Sequence, residues 1–177
     1  MAVRPILLLG DPGLYQVSKP VDRAELPELR AVADDLFDTM RDFQARHGWG
    51  RAIAAPQIGV HRRLVCMLVN EPVALLNPVL EDKSAETCEF WEDCMSFPEL
   101  LVRLRNPEWC TLRYRDFDWR ERKVLLSGDM AELIQHEVDH LDGVLSIQRV
   151  VDDRSIVLRR ALPEKDVALE GRFEYVD

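Results

Sequence analysis

Between Leu26 and His47 the apolar side chains Leu29, Val32, Leu36, Met40 and Phe43 recur at spacings of three and four. That is the stripe of an amphipathic helix, and Gly48 offers its stop. A second stripe, Met130, Leu133, Ile134, Val138 and Leu141, has similar spacing. Ser127-Gly128-Asp129 supplies its start and Gly143 its end. Between the two helices the pattern changes. Short apolar runs at 63–69, 73–80 and 100–105 read as strands, and 110–115 with 122–126 flank Asp116-Phe117-Asp118 as a hairpin. From Asp152 a short helix is expected through Arg160, before Pro163, with the rest of the chain exposed. Strands followed by a helix, without regular strand–helix alternation, predict an α+β fold of antiparallel sheets packed around a buried central helix.

The second helix carries Gln135-His136-Glu137-Val138-Asp139-His140. Residues i and i+4 share one helix face, so both imidazoles can converge on a single metal ion. Glu137, about 100° around the helix from His136, can flank a water at that ion and take its proton. A bare His-Glu-x-x-His also arises by chance as a solvated polar face. Here the apolar stripe buries the helix, and buried His, Glu and Asp side chains need partners, which a metal provides.

Two histidines are too few for a catalytic site that takes three protein ligands and leaves a fourth position open. A third histidine six residues after the second is absent, because that position is Ser146, and His47 and His61 are the only other histidines. A downstream glutamate, Glu164 or Glu170, is one option, as in thermolysin-like proteases, and an upstream cysteine is the other. The four cysteines, Cys66, Cys88, Cys94 and Cys110, form no Cys-x-x-Cys pair. Pro5-Ile6-Leu7-Leu8-Leu9 is too short for the apolar core of a secretory signal. Free thiols in a reducing cytoplasmic compartment are therefore expected. Cys66, inside Leu64-Val65-Cys66-Met67-Leu68-Val69, reads as a core residue, and Cys110 as the start of a strand. Cys94 lies in the less ordinary Trp91-Glu92-Asp93-Cys94-Met95-Ser96-Phe97-Pro98.

Three separated segments resemble the signature motifs of peptide deformylases, which remove the formyl group from the initiator N-formylmethionine of nascent chains. Gly50-Arg51-Ala52-Ile53-Ala54-Ala55-Pro56-Gln57 resembles Gly-x-Gly-x-Ala-Ala-x-Gln, and Glu92-Asp93-Cys94-Met95-Ser96 resembles Glu-Gly-Cys-x-Ser. Gln135 through Leu141 matches Gln-His-Glu-x-Asp-His-Leu at every specified residue. The likeness spans roughly residues 4 to 150 of a single catalytic domain covering 1–177, and leaves about 151–177 as a divergent tail.

The resemblance implies that Cys94, His136 and His140 bind one divalent metal ion, with Glu137 as the general base and then the general acid. It implies that Gln57 and the backbone N–H of Met95 donate to the oxyanion, and that Gly50, Ala52, Asp93, Glu132 and Leu133 border the substrate. Thiolate ligation suggests a zinc-like ion by softness, whereas the family commonly uses ferrous iron, so zinc or nickel in purified protein would be a substitute. The implied partner is an N-formylated peptide, with transient ribosome contact, although the tail lacks the long basic helix that some deformylases use to dock there.

Four positions depart from the pattern. The family's second motif-one glycine is Ala52, and its motif-two glycine is Asp93. Leu101 stands where many members carry an arginine, and Glu132, one turn before His136, replaces an apolar or basic residue. These changes leave open a divergent relative acting on another N-formyl or N-acyl substrate, or only binding one. A metalloprotease with Glu164 or Glu170 as third ligand is the other alternative.

A chain of 177 residues, 47% hydrophobic and 31% charged, can bury a full core. No run approaches 18 apolar residues, so no membrane span is expected. A net charge of −9 argues against DNA or other nucleic acid as the main partner. Residues 103 to 123 are the exception, with seven Lys/Arg against four Asp/Glu. They would either meet ribosomal RNA or form the wet face of a hairpin.

Overall fold

The computed structural model describes residues 2–69, 71–162 and 171–176. Its first long helix, α1, is Leu26–His47, the span its apolar stripe predicts. Leu29, Ala33, Leu36, Met40 and Phe43 are its buried face. Glu28 in its first turn and Arg46 and His47 in its last complement the helix dipole. It ends where Gly48 takes φ +79° and donates its N–H to Gln44 O, a left-handed cap that a side chain would strain.

The described residues form nine strands in two sheets. β1 (Ala52–Ala54), β2 (Leu64–Leu68), β3 (Pro72–Glu81), β6 (Trp109–Arg115), β7 (Glu121–Ser127) and β9 (Arg172–Tyr175) form a six-stranded sheet in the order β1-β2-β3-β6-β7-β9. Every pairing in it is antiparallel. β2 is apolar throughout because both its faces are covered. Leu64 and Cys66 pack with α1, while Val65 and Met67 join the cluster under the second helix, α2 (Asp129–Leu141). Met130, Ala131, Ile134, Val138 and Leu141 are the part of α2 that fills that cluster. The sheet is thus sandwiched between two helices, and α2 is the buried central helix expected.

β4 (Thr87–Glu92), β5 (Leu100–Pro107) and β8 (Ile156–Leu158) make a second, three-stranded antiparallel sheet. Phe97, Val102 and Leu104 pack around Cys94 between this sheet and α2. The chain from β4 to β5 therefore crosses the molecule beside the histidine face of α2.

One expectation for the tail needs correction. Residues 152–160 were expected to be helical, yet Ile156–Leu158 is a strand, and only Arg159–Ala161 forms a 3₁₀ turn. Ile156 and Val157 are β-branched, and the free edge of β5 offers them a ladder, with Leu101 opposite Val157 and Val102 opposite Ile156. The end of the chain, expected to lie exposed, is exposed at Arg172, Glu174, Tyr175 and Val176, while Arg172–Tyr175 also pairs with β7 and Phe173 packs against the main core. Glu164 and Glu170, the alternative third ligands, lie outside the described residues.

The hairpin at 116–120 forms as read, and each of its basic neighbours has an acidic partner. Arg103 and Arg105 meet Glu89, Arg113 meets Glu81, Arg115 meets Glu121, Arg120 meets Asp118, Arg122 meets Asp116, and Lys123 meets Asp82. Cations already paired present little field to a phosphate backbone. The face is a salt-bridged, solvated one. Among the described residues no helix is long and apolar enough to cross a membrane.

Candidate metal centre and its cleft

The helical repeat of α2 stacks His136 and His140 so that their Nε2 atoms lie 3.2 Å apart. Cys94, in the loop after β4, brings its Sγ to 3.3 Å from His140 Nε2. The three ligand atoms lie within 4.8 Å of one another, and all three residues are buried. Tetrahedral bonds of about 2.05 Å to nitrogen and 2.3 Å to sulfur put ligand nitrogens about 3.3 Å apart and nitrogen and sulfur about 3.6 Å apart. The His136–His140 and Cys94–His140 spacings fall close to those values, and the third pair lies within 4.8 Å, so the triad is near the geometry that a divalent ion needs.

Neighbouring groups select the ligand atoms. Glu92, at the end of β4, sets Oε2 2.9 Å from His136 Nδ1. Its other oxygen accepts from Asn106 Nδ2 at 2.8 Å, and Arg149 reaches Asn106 Oδ1 at 3.4 Å. Arg149 also pairs with Asp139 on α2. A carboxylate on Nδ1 holds the His136 proton there, so that Nε2 is the atom left for a metal once its own proton is released. Burial alone would push the His136 pKa down, but Cys94 and Glu92 outweigh it and hold it well above the usual value. His140 goes the other way, pushed down by burial and then by His136 beside it, so it is neutral and ready to ligate.

Gln57 lies on a 3₁₀ turn, Ala55–Ile58, just after β1. Its Oε1 accepts from Ala54 N–H at 2.9 Å, which commits the oxygen and turns the amide nitrogen inward. That nitrogen lies 3.6 Å from Cys94 Sγ and 3.2 Å from Ser96 Oγ. The N-terminal segment ties both loops together, Leu7 N–H donating to Gln57 O and Leu9 N–H to Ser96 O. Glu137 is buried, and its Oε2 has no hydrogen-bond partner among the described residues. Burial pushes its carboxyl up to about 7, against the pull of His136. A carboxyl poised there can both accept and return a proton near neutral pH.

A cavity of about 370 Å³ opens over this group. It brings together Cys94, His136, Glu137 and Gln57 with Met95 and Leu133, while His140 closes the centre from behind. Gly50, Ala52, Asp93 and Glu132 line it too. Gly50 has φ +111°, which favours glycine, and a Cβ there would also crowd the side chains of Phe43 at 3.1 Å and Met95 Sδ at 3.2 Å. Ala52 is in strand pairing opposite Met67 and is not among the residues with positive φ, so its methyl costs nothing in backbone strain. Leu101 is a buried β5 residue facing β8 and is not part of the cavity lining. Glu132 is half-buried, its carboxyl pushed well above the usual range by burial and then by Glu92.

Glu92, Asn106, Trp49, Trp91 and Arg159 also shape the site, and sequence reading assigned them no role. Glu92 sits inside a quoted motif, two residues before a ligand, which is a usable signal. Asn106, Arg149 and Arg159 carry no local mark, since their importance comes from distant partners.

A thiolate and two imidazoles gathered in a cleft beside a buried carboxylate, on an α+β frame, define the class as a metal-dependent hydrolase. The family profile described as polypeptide deformylase matches residues 3–155. A peptide deformylase of Rhizobium meliloti (strain 1021) is 35% identical over 167 residues, 90% of this chain and 92% of that one. One of Parafrankia sp. (strain EAN1pec) is 39% identical over 174 residues, 97% of this chain and 92% of its own. The crystal structure of peptide deformylase from Thermotoga maritima superposes with a TM-score of 0.78 at 32% identity, covering 86% of this chain and 99% of that one. An actinonin-bound class I type b deformylase from Acinetobacter baumannii gives 0.78 at 30% identity, covering 85% and 99%. The chain belongs to the polypeptide deformylase family, whose members are metal-dependent enzymes.

Proposed function

We propose that the protein removes the formyl group from the N-terminal formylmethionine of nascent peptides, with the centre above as its active site. The observation that carries the reading is the convergence of Cys94 Sγ with the Nε2 atoms of His136 and His140, beside the unpartnered Glu137 oxygen. Cys94, His136 and His140 hold one divalent ion. When bound, such an ion polarises a carbonyl and lowers the pKa of water toward neutrality. We take ferrous iron as native and zinc or nickel as substitutes, since one thiolate with two imidazoles is compatible with all three.

The chain's own groups do the rest. Glu137 accepts a proton from water as its oxygen adds to the formyl carbon. The same carboxyl returns that proton to the departing amine as the C–N bond breaks, giving formate and a free N-terminus. Negative charge develops on the formyl oxygen, and the Gln57 amide and the Met95 N–H stabilise it without a proton to lose. Leu133, Ala52 and Gly50 border the methionine side chain, with Glu132 and Asp93 at the rim, where Asp93 pairs with Arg159. Residues 1–177 act as one catalytic unit, a reading supported by the tail strands β8 and β9 completing the two sheets. The four free cysteines are in keeping with a cytoplasmic setting. Any transient ribosome contact would use a surface other than the charge-paired hairpin.

The test is formate release from formyl-Met-Ala-Ser by anaerobically reconstituted ferrous protein. Glu137→Ala should keep its metal and lose turnover by about 10²–10⁴-fold, because only the proton path is removed. A Glu137→Ala enzyme with parental turnover would sink the mechanism.

A further inference from the structure

Asp93 replaces a glycine at the mouth of the cleft, and Arg159, just beyond the residues 3–155 that the family profile matches, meets it. Arg159 Nη2 donates to Asp93 Oδ2 at 2.8 Å, and its Nε donates to Pro98 O at 3.1 Å. Its guanidinium carbon lies 4.1 Å from the centroid of the Trp49 ring. Its backbone N–H donates to Glu99 O at 2.8 Å, continuing the ladder that pairs β8 with β5. Trp49 in turn packs edge-on against Phe43, 4.8 Å between ring centroids, next to Gly50. One side chain thus joins three parts of the cleft. These are the loop carrying Cys94 and Met95, the indole wall at Trp49, and the end of the three-stranded sheet.

We infer that Arg159 is a positioning and specificity-determining residue, which holds the cleft mouth in shape and neutralises Asp93 so that acidic peptides can pass. The inference rests on the deformylase reading of the same site. Arg159 and Asp93 are each about a third exposed, 33% and 34%, so their ion pair by itself adds little stability. The planar guanidinium gives it a larger role. It donates in two directions within its plane and stacks on the indole with its face, which an ammonium cannot do. Asp93 lines the cavity, so losing Arg159 would leave a carboxylate facing whatever peptide follows the formylmethionine. The charge would act in a partly dry cleft, where like charges repel more strongly than in water.

The experiment compares formyl-Met-Glu-Ser and formyl-Met-Lys-Ser in parent, Arg159→Ala, Arg159→Lys and the double variant Asp93→Gly/Arg159→Ala, all reconstituted as holoenzyme. Parent turnover is measured first, and its absence would count against the deformylase reading and not against Arg159. Arg159→Ala should raise KM for the Glu peptide about tenfold, and for the Lys peptide by no more than about threefold, as expected for an unmasked rim charge. Its kcat should stay within about threefold, with full metal content. Arg159→Lys should restore the Lys/Glu ratio but not the whole KM, because charge returns without the stack. The double variant should return to the parent's Lys/Glu ratio whatever its absolute activity. An unchanged KM for both peptides in Arg159→Ala would overturn the inference. So would a loss of kcat, metal and melting temperature together, or a departure from the parent's Lys/Glu ratio that survives in the double variant.

Discussion

Glu92 offers the sharpest check on how the centre is built. Its side chain is fully buried, and its two oxygens serve two donors, His136 Nδ1 at 2.9 Å and Asn106 Nδ2 at 2.8 Å. In Glu92→Gln one oxygen remains while the other becomes an NH₂ aimed at a donor. Asn106 cannot turn its amide over to compensate without breaking the Arg149 contact at its Oδ1. One buried donor is therefore left unsatisfied, at a cost of about 1–3 kcal/mol. If His136 keeps the surviving bond, its ring still loses the negative charge that raised its basicity. If it loses the bond, its orientation goes too. Either way metal affinity should fall about 10- to 100-fold, the range for removing such an orienting partner. The assay is anaerobic competition for the metal against a chromophoric chelator at pH 7, with a thermal melt of the metal-free protein alongside. Parental affinity and turnover in Glu92→Gln would refute the orienting role. Full metal with lost turnover would instead give Glu92 a part in the chemistry.

Gln57→Leu should lower kcat by about 10²–10³-fold with metal content unchanged, the expected loss of one oxyanion donor, and an effect confined to KM would make it a ground-state contact. Glu132 stands one turn before His136 on the cavity wall with its carboxyl pushed up by burial and Glu92, so Glu132→Ile should weaken a preference for Lys over Glu after the methionine as pH rises and the carboxyl ionises. A parent and variant with identical charge profiles would return Glu132 to a solvated helix role. Asp116 supports the β6–β7 turn. Burial pushes its carboxyl up, but the N–H of Arg120, the Arg122 guanidinium and the N–H of Asp118 outweigh this and hold it below its usual value. A lowered folded pKa means the contribution is present above the ordinary carboxylate pKa and lost as pH falls through the folded value. Asp116→Asn should therefore destabilise by about 1 kcal/mol at pH 7, with parent and variant melts converging toward pH 2. A gap that persists at low pH would remove the charge from the explanation.

Local pattern alone determined the elements whose stability is local. The stripe from Leu29 to Phe43 and the cap at Gly48 set α1 to the residue, because periodicity and a left-handed stop act within one turn of the chain. The i, i+4 spacing of His136 and His140 likewise put two ligands on one face before any tertiary contact was known. The likeness of the Cys94 segment to a family motif nominated the third ligand, but only the fold brings it 46 residues across to His140. Ile156–Leu158 is too short to declare itself, and it is a strand because β5 had an open edge to offer. Glu92, Asn106 and Arg149 form a chain behind His136 whose members are spread over 58 residues, from position 92 to position 149. Arg159 reaches Asp93 across 66. Such polar partners leave no periodic trace, since a buried charge needs its counterpart close in space and at no particular distance along the chain.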